Sequence, residues 1–249
     1  MAGYAVKATG DIIVNGVVEA ASLTADGSIV LTNGIHGEGK GRLKAGGDIV
    51  AKFIQASTVT ADGCVTSGSI LNSKVTANDS ILVLSQKGFV SGGELRAGAL
   101  ITAKVVGSAA SGTNTLLEVG PHPADMKEYR DLEKLLVEKR IEQKKLYQAS
   151  DLIKQKSDNG ESLPPELSRL VNNVPFQISM VESEINQLLK RYYQIKAEVE
   201  KNDVGKITVE STVYEGTKIV ISNVSYYIRD AIAECQFVRE GSEIKAYAL

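Results

Sequence analysis

The sequence predicts a mainly β protein: a three-faced parallel β-helix, or β-solenoid, interrupted by a long antiparallel helical hairpin. Three observations predict this fold class. A seven-residue phrase recurs six times in the first hundred residues, a charged and nearly Gly-free stretch follows with heptad spacing, and an alternating β pattern then returns. We expect repeats over residues 1–122, a coiled-coil hairpin over 123–203 and a β return over 204–249 that completes or caps the solenoid.

The repeated phrase consists of an apolar residue, a polar residue, Ala, three small or turn-forming residues and a second apolar residue. Its first positions differ by 17, 20, 16, 16 and 20 residues. A repeat of this size is typical of stacked-repeat proteins. The copies are Val6–Ile12, Leu23–Ile29, Leu43–Ile49, Val59–Val65, Val75–Ile81 and Leu95–Ile101.

Each repeat predicts one circuit of three short strands joined by three corners. The two apolar residues of the phrase point inward, and a third inward residue often follows, at Val17, Ile54 and Ile70. Ala fits a crowded inward site beside a corner, and Gly, Asp and Asn supply the corner conformations. One circuit cannot bury its own apolar face, so stability requires neighbouring circuits.

The Asp residues near these corners allow two interpretations. They could form a metal-binding ladder along the solenoid, or they could cap turns. The phrase lacks the spacing of hexapeptide acyltransferases and of the calcium-binding nonapeptide. Asp11 and Asp48 also occupy a different template position from Asp26 and Asp62, which weakens a ladder.

The repeat pattern stops at Pro121-His122-Pro123, and two helical segments follow. The first spans about Asp125 to Lys156, and the break Lys154–Glu166 contains Asn-Gly and Pro-Pro. We expect Pro175 to kink the second helix or delay its start. The helices could pair within the chain as a hairpin or only between chains. The heptad of the second helix comprises Leu167, Val171, Val174, Ile178, Val181, Ile185, Leu188, Tyr192, Ile195 and Val199.

The β pattern returns at Lys206. Glu215-Gly216 marks a turn in this segment, and inward-facing residues alternate with polar ones. We expect a closing circuit or a cap, because an open solenoid end exposes unpaired strand edges. The inward-facing residues are Ile207, Val209, Val213, Ile219 and Ile221.

Three of these features resemble the flagellar assembly protein A family: the Gly-rich stretch Gly92–Gly120, the helical insertion, and the return with Val213–Ile221. The resemblance covers essentially the whole chain. It implies a bacterial cytoplasmic protein with a right-handed β-solenoid, no established reaction and no catalytic residues to assign. Members of this family usually have further N-terminal sequence, which we expect to be missing from this chain. Similar Gly-rich solenoids occur in the septum-site inhibitor and in the polymerising bactofilins.

Composition narrows the function classes. The formal net charge of −2 argues against a nucleic-acid partner. The sequence contains no run of 18 apolar residues, so it predicts no membrane insertion. Two distant cysteines, Cys64 and Cys235, fit a reducing cytoplasm. His36 lies in the Gly-rich loop Gly34–Arg42, which is an extended corner or a phosphate site, and His122 fits a hinge better than a base. No catalytic residue, cofactor or metal is predicted.

We therefore expect a non-enzymatic structural or adaptor protein of flagellar assembly or polar organisation, with a rigid solenoid and a helical arm for a protein partner. Self-assembly like that of bactofilins, as a homo-oligomer, is the alternative. A carbohydrate-active solenoid is weaker, because Phe53 and Phe89 are the only aromatic residues between 6 and 101 apart from His36. The predicted partner-binding residues are Asn159, Glu161, Val181, Ile185, Leu188 and Tyr192.

Overall fold

A computed structural model describes residues 4–109, 114–121, 123–158, 165–203 and 205–249. In this part of the chain, 17 strands form one sheet and two helices interrupt them. Before the helices lie β1 (Ala5–Ala8), β2 (Ile12–Val14), β3 (Val17–Glu19), β4 (Ser22–Ala25), β5 (Ile29–Ala45), β6 (Ile49–Ala61), β7 (Val65–Ser67), β8 (Ser69–Ala77), β9 (Ser80–Val83), β10 (Phe89–Ala97), β11 (Leu100–Val106) and β12 (Thr115–Val119). The helices α1 (Pro123–Asp158) and α2 (Pro165–Asp203) are followed by β13 (Lys206–Val213), β14 (Thr217–Ile221), β15 (Val224–Tyr227), β16 (Ile232–Glu240) and β17 (Glu243–Ala248).

The strands wind into a parallel β-solenoid with three faces, which confirms the predicted fold class. Long strands bend round corners, so that β5 alone contributes to all three faces. Within the described residues, six turns precede the helices and one follows. On the first face, inward positions stack in the register Ile12, Ile29, Ile49, Val65, Ile81, Ile101 and Ile207.

One inward column on each face fills the core, as the repeat predicts. The second-face column contains Ile35, Ile54, Ile70, Val90, Val106 and Val213, all fully buried. The prediction is wrong for Val17, which is exposed, whereas its neighbour Val18 is buried. The first turn has one more residue between its first-face and second-face anchors than the third turn, and this shifts the inward position by one.

The repeated phrase forms the corner between the third face and the first. Its Ala residues stack in register as Ala8, Ala25, Ala45, Ala61, Ala77 and Ala97, all buried except the half-buried Ala8. A side chain larger than Ala does occur further along this column, at Val119 and Ile221. The need for a small residue in this column therefore applies where the phrase forms the corner, and not in the later turns.

The helices occupy the place of a seventh phrase. Val119 stacks on Ala97 and Lys206 stacks on Leu100, so the inserted segment replaces the short link Gly98-Ala99 of the turn below. At this corner the amide of Gly120 donates to the Ala97 carbonyl at 3.1 Å, and that of Lys206 donates to the Ala99 carbonyl at 3.0 Å. Contacts divide the chain into one unit of Met1–His122 with Glu200–Leu249 and a second unit of Pro123–Val199.

Both helices are longer than the sequence predicted. α1 continues to Asp158, and α2 begins at Pro165 and runs through Pro175 without interruption. The expected delay at Pro175 is therefore wrong. Proline removes one backbone donor from the helix, and the apolar side chain next to it, Val174, is buried, so packing supports the helix at this point.

The C-terminal segment adds a turn and then reverses direction. β13 and β14 extend the parallel faces, and the predicted inward residues Ile207, Val209 and Ile219 are fully buried. β16 then pairs antiparallel with β13, β15 pairs antiparallel with β14, and β17 pairs with β16. The strand edges of the last turn are covered by these antiparallel strands, which is how natural sheets protect exposed edges.

Candidate functional site: the helical hairpin

The two helices pack along one apolar seam. Leu136 of α1 is buried with Val181 and Ile185 of α2. The partly buried side chains against this cluster are Leu146, Leu188, Leu189 and Tyr192. Apolar residues at heptad spacing produce such a seam because successive positions fall on one side of a helix.

Polar contacts along the seam fix an antiparallel register. Residues early in α1 contact residues late in α2: the Tyr129 and Tyr192 hydroxyls are 3.1 Å apart, and their rings stack at 5.2 Å. Further along α1, Lys139 lies 2.7 Å from Glu184. Tyr147, later still in α1, donates to Glu182. The helices therefore pair within the chain, as the hairpin interpretation predicted.

Arg191, late in α2, forms a bidentate ion pair with Glu128, early in α1. Its Nε and Nη2 donate to the two carboxylate oxygens of Glu128 at 2.6 and 2.9 Å. The hydrogen bond from Arg191 lowers the pKa of Glu128 below its usual value. In the same way, hydrogen bonds to Glu184 and Glu142 raise the pKa of Lys139. These pairs are exposed, so their contribution is mainly to register.

The predicted partner-binding residues are placed unequally. Val181 and Ile185 are buried in the seam, and Leu188 and Tyr192 pack partly against it. A partner would reach the buried Val181 and Ile185 only by opening the hairpin, whereas Leu188 and Tyr192 are partly exposed. The role of all four residues in partner binding stays a prediction. Asn159 and Glu161 lie outside the described residues.

Sequence reasoning missed a second set of apolar side chains, on the outer surface of the hairpin. Val137 and Ile141 are four residues apart on α1, and their side chains are 55% and 51% exposed. Phe176 and Met180 have the same spacing on α2, at 64% and 49%. Residues four apart are neighbours on a helix surface. The sequence did contain an indication of these exposed residues, because they are apolar at positions that the heptad assigns to solvent.

The other candidate residues do not form a reaction centre in the described part of the chain. No group of three His, Cys, Asp or Glu side chains comes together there. His36 packs on Phe53 with ring centroids 4.5 Å apart. The loop Gly34–Arg42 is an extended corner, in which a Cβ on Gly37 would lie 2.3 Å from Ser57 Oγ. His122 lies outside the described residues.

The corner Asp residues act as turn caps at two positions. Asp11 Oδ1 accepts the amide of Ser28 at 2.7 Å, and Asp48 Oδ1 accepts the amide of Cys64 at the same distance. This favours the capping interpretation over the metal ladder. Cys64 belongs to the same column, and burial, followed by the nearby Asp79 and Asp48, raises its pKa, so the thiol stays protonated near neutral pH.

The described helices contain no stretch that is both long and apolar enough to cross a membrane. A family model described as Flagellar Assembly Protein A beta solenoid domain matches residues 1–244. Comparison with curated proteins and with solved structures gives no match.

Proposed function

Because the chain belongs to the flagellar assembly protein A family, we propose that it is a non-enzymatic adaptor in bacterial flagellar assembly. The solenoid serves as a rigid platform in the cytoplasm, and the helical hairpin binds a protein partner. The hairpin interrupts a regular repeat at one corner, where a two-residue link is sufficient in the turn below. An insertion that the solenoid does not need for its winding is suited to carry recognition.

The observation that carries this proposal is the exposed apolar pair on each helix of the hairpin. Exposed apolar pairs such as Val137 with Ile141 and Phe176 with Met180 are typical of a surface that a partner covers. The seam residues Val181, Ile185, Leu188 and Tyr192 keep a supporting role, since they hold the two helices in register. Partner recognition through a helix surface uses side chains at this i, i+4 spacing.

The test is complementation of a motile bacterium whose own copy of this gene is deleted. A variant with Val137→Ser, Ile141→Ser, Phe176→Ser and Met180→Ser should fail to restore flagella and should no longer co-purify the partner of the wild-type chain. The control carries Glu138→Ser, Lys144→Ser, Gln177→Ser and Lys190→Ser, which are also exposed helix positions. Full flagellation with the apolar quadruple variant, folded by circular dichroism, would reject the proposal.

Self-assembly is the second candidate, and it is favoured by the first turn. In the described residues, β1, β2 and β3 have parallel partners on one side only. Val6, an inward position of the repeat, is 48% exposed there, and Ile13 is 68% exposed. A second copy could stack on this end. Sedimentation of the wild-type chain and of Val6→Lys distinguishes the two: only self-assembly predicts a concentration-dependent oligomer that the substitution dissociates.

A further inference from the structure

A groove crosses the outward side of the second face, and its lining residues lie outside the hairpin segment. Its volume is about 840 Å³, and its lining comes from turns three to seven of the solenoid. The apolar floor consists of Phe53, Leu71, Phe89 and Val105, all half-buried. These side chains point outward because they alternate with the fully buried column that contains Ile54, Ile70 and Val90.

One wall of the groove is the loop Leu84–Gly88, a longer corner than the other turns have at this place. Ser85 organises it: its hydroxyl donates to the Gly68 carbonyl at 2.9 Å and accepts the Gly88 amide at 2.8 Å. Gly88 has a φ of 46°, and a Cβ there would lie 2.9 Å from the Lys104 side chain. The loop is therefore held against the solenoid, and the groove is formed before any ligand binds.

The rim of the groove is cationic. Among the described residues, Lys52, Lys87 and Lys104 line it, no carboxylate does, and none of the three lysines forms an ion pair. Some other lysines, such as Lys74 and Lys139, have carboxylate partners. Glu210 follows Lys104 in the same corner column but does not line the groove. In a chain of net charge −2, this rim is a local concentration of uncompensated positive charge.

We propose that this groove binds an acidic, extended peptide segment of a protein partner, with large apolar side chains between its carboxylates. Lys52 and Lys104 are three turns apart, which is about 14 Å at the spacing of stacked strands. An extended peptide covers that length with about four to five residues. Its side chains alternate in direction, so apolar ones reach the floor while carboxylates meet the lysines. This site goes beyond the proposed function and does not rest on it.

A nucleic acid fits the groove less well. Phe53 and Phe89 belong to one outward column but are separated by Ser69, so they lie about 10 Å apart. Leu71 and Val105 complete a floor that offers apolar contact and few hydrogen-bond donors for phosphates. Stacking of consecutive bases requires a more continuous aromatic surface.

The test uses the full chain and fluorescein-labelled peptides, with binding followed by fluorescence anisotropy. The probe is Glu-Phe-Glu-Leu-Glu, and the matched probes are Gln-Phe-Gln-Leu-Gln and Glu-Ser-Glu-Ser-Glu. Affinity should fall about tenfold for either matched probe, and also between roughly 50 mM and 300 mM salt, because screening weakens charge attraction.

The decisive variant carries Lys52→Glu, Lys87→Glu and Lys104→Glu, and it should bind the probe at least about tenfold more weakly. The control carries Lys7→Glu, Lys40→Glu and Lys44→Glu, which change the net charge equally at exposed sites outside the groove, and it should stay within about twofold. Equal weakening by both triple variants, no binding of the probe, or tighter binding of an oligothymidylate would each overturn the proposal. Circular dichroism verifies that both variants fold.

Discussion

At the residue scale, the glycines of the repeated phrase serve close packing, whereas we had expected them to supply special backbone angles. Gly27, Gly46 and Gly63 have no positive φ. A Cβ at Gly46 would lie 2.3 Å from the Asp26 carbonyl oxygen of the turn below. Among the described residues before the helices, those other than Gly that have a positive φ lie instead at the corner between the second and third faces, for example Ala56 and Asn72.

A column of polar side chains at the phrase corner makes this packing necessary. Asp11, Ser28 and Asp48 each accept a hydrogen bond from the amide of the corresponding residue one turn later. Each acceptor lies beside the small residue that precedes that amide. The corner therefore satisfies backbone donors that have no strand partner, and it leaves no room for a side chain there.

We predict that Gly63→Ala destabilises the solenoid by about 0.5–1.5 kcal/mol, the net contribution of one intramolecular hydrogen bond. The new Cβ would lie 2.2 Å from Asp48 Oδ1, which must then move away from the Cys64 amide. Gly10→Ala is the matched control, because a Cβ at Gly10 has no atom within 4 Å. Urea unfolding followed by the β-sheet signal measures both, and equal midpoints for the two variants would contradict the packing argument.

At the element scale, the hairpin register depends on side chains that the heptad alone does not specify. Tyr129 with Tyr192 and Lys139 with Glu184 join positions that are far apart in sequence. Lys139 occupies a seam position of α1, where a polar residue weakens an apolar contact. Its ion pair to the facing helix offsets that loss and favours one register over another.

Acid should weaken the hairpin through Glu128. Its folded-state pKa lies below the unfolded value because Arg191 donates to the carboxylate, so the stabilisation is present above the unfolded pKa and disappears as pH falls through the folded pKa. We predict that Glu128→Gln lowers the melting temperature of the helical signal at pH 7 and has no effect well below the carboxyl pKa. Glu138→Gln, an exposed position without an ion pair among the described residues, is the control. The same change at both pH values would contradict the linkage.

What the sequence could predict about these elements follows from periodicity. The recurring phrase identified the solenoid and the heptad spacing identified the seam, because burial imposes a regular period on each kind of element. Val17 was misplaced because one additional corner residue shifts the inward position to Val18 without changing composition. The outer apolar pairs and the lysine-rimmed groove could not be predicted in this way. The groove places Lys52 and Lys104 on one rim only because the turns of the solenoid stack.

At the scale of the whole molecule, the turns of the solenoid share the same strand layout and differ mainly at their corners. The extended corner at Gly34–Arg42, the wall Leu84–Gly88 and the hairpin each replace a short link of one or two residues. Strand register continues across the hairpin insertion, since Ile101 still stacks on Ile207. Stability of such arrays comes from contacts between neighbouring layers, so a corner can gain residues without disturbing the core.

This view makes a direct prediction: the solenoid should fold without its helices. Deleting residues 121–204 joins Gly120 to Gly205 and creates a two-residue corner equivalent to Gly46-Gly47, which links the third and first faces in an earlier turn. Because Val119 and Lys206 are already stacked on Ala97 and Leu100, the new link spans a gap that the turn below closes with two residues.

The deletion variant should remain monodisperse, keep the β-sheet signal and lose the helical one. Its melting temperature should lie within about 5 °C of the β transition of the full chain, since no contact between stacked turns is removed. Circular dichroism and calorimetry measure both quantities. Aggregation, or a melting temperature more than about 10 °C lower, would mean that the helices are required to hold the last turn and its antiparallel strands on the stack.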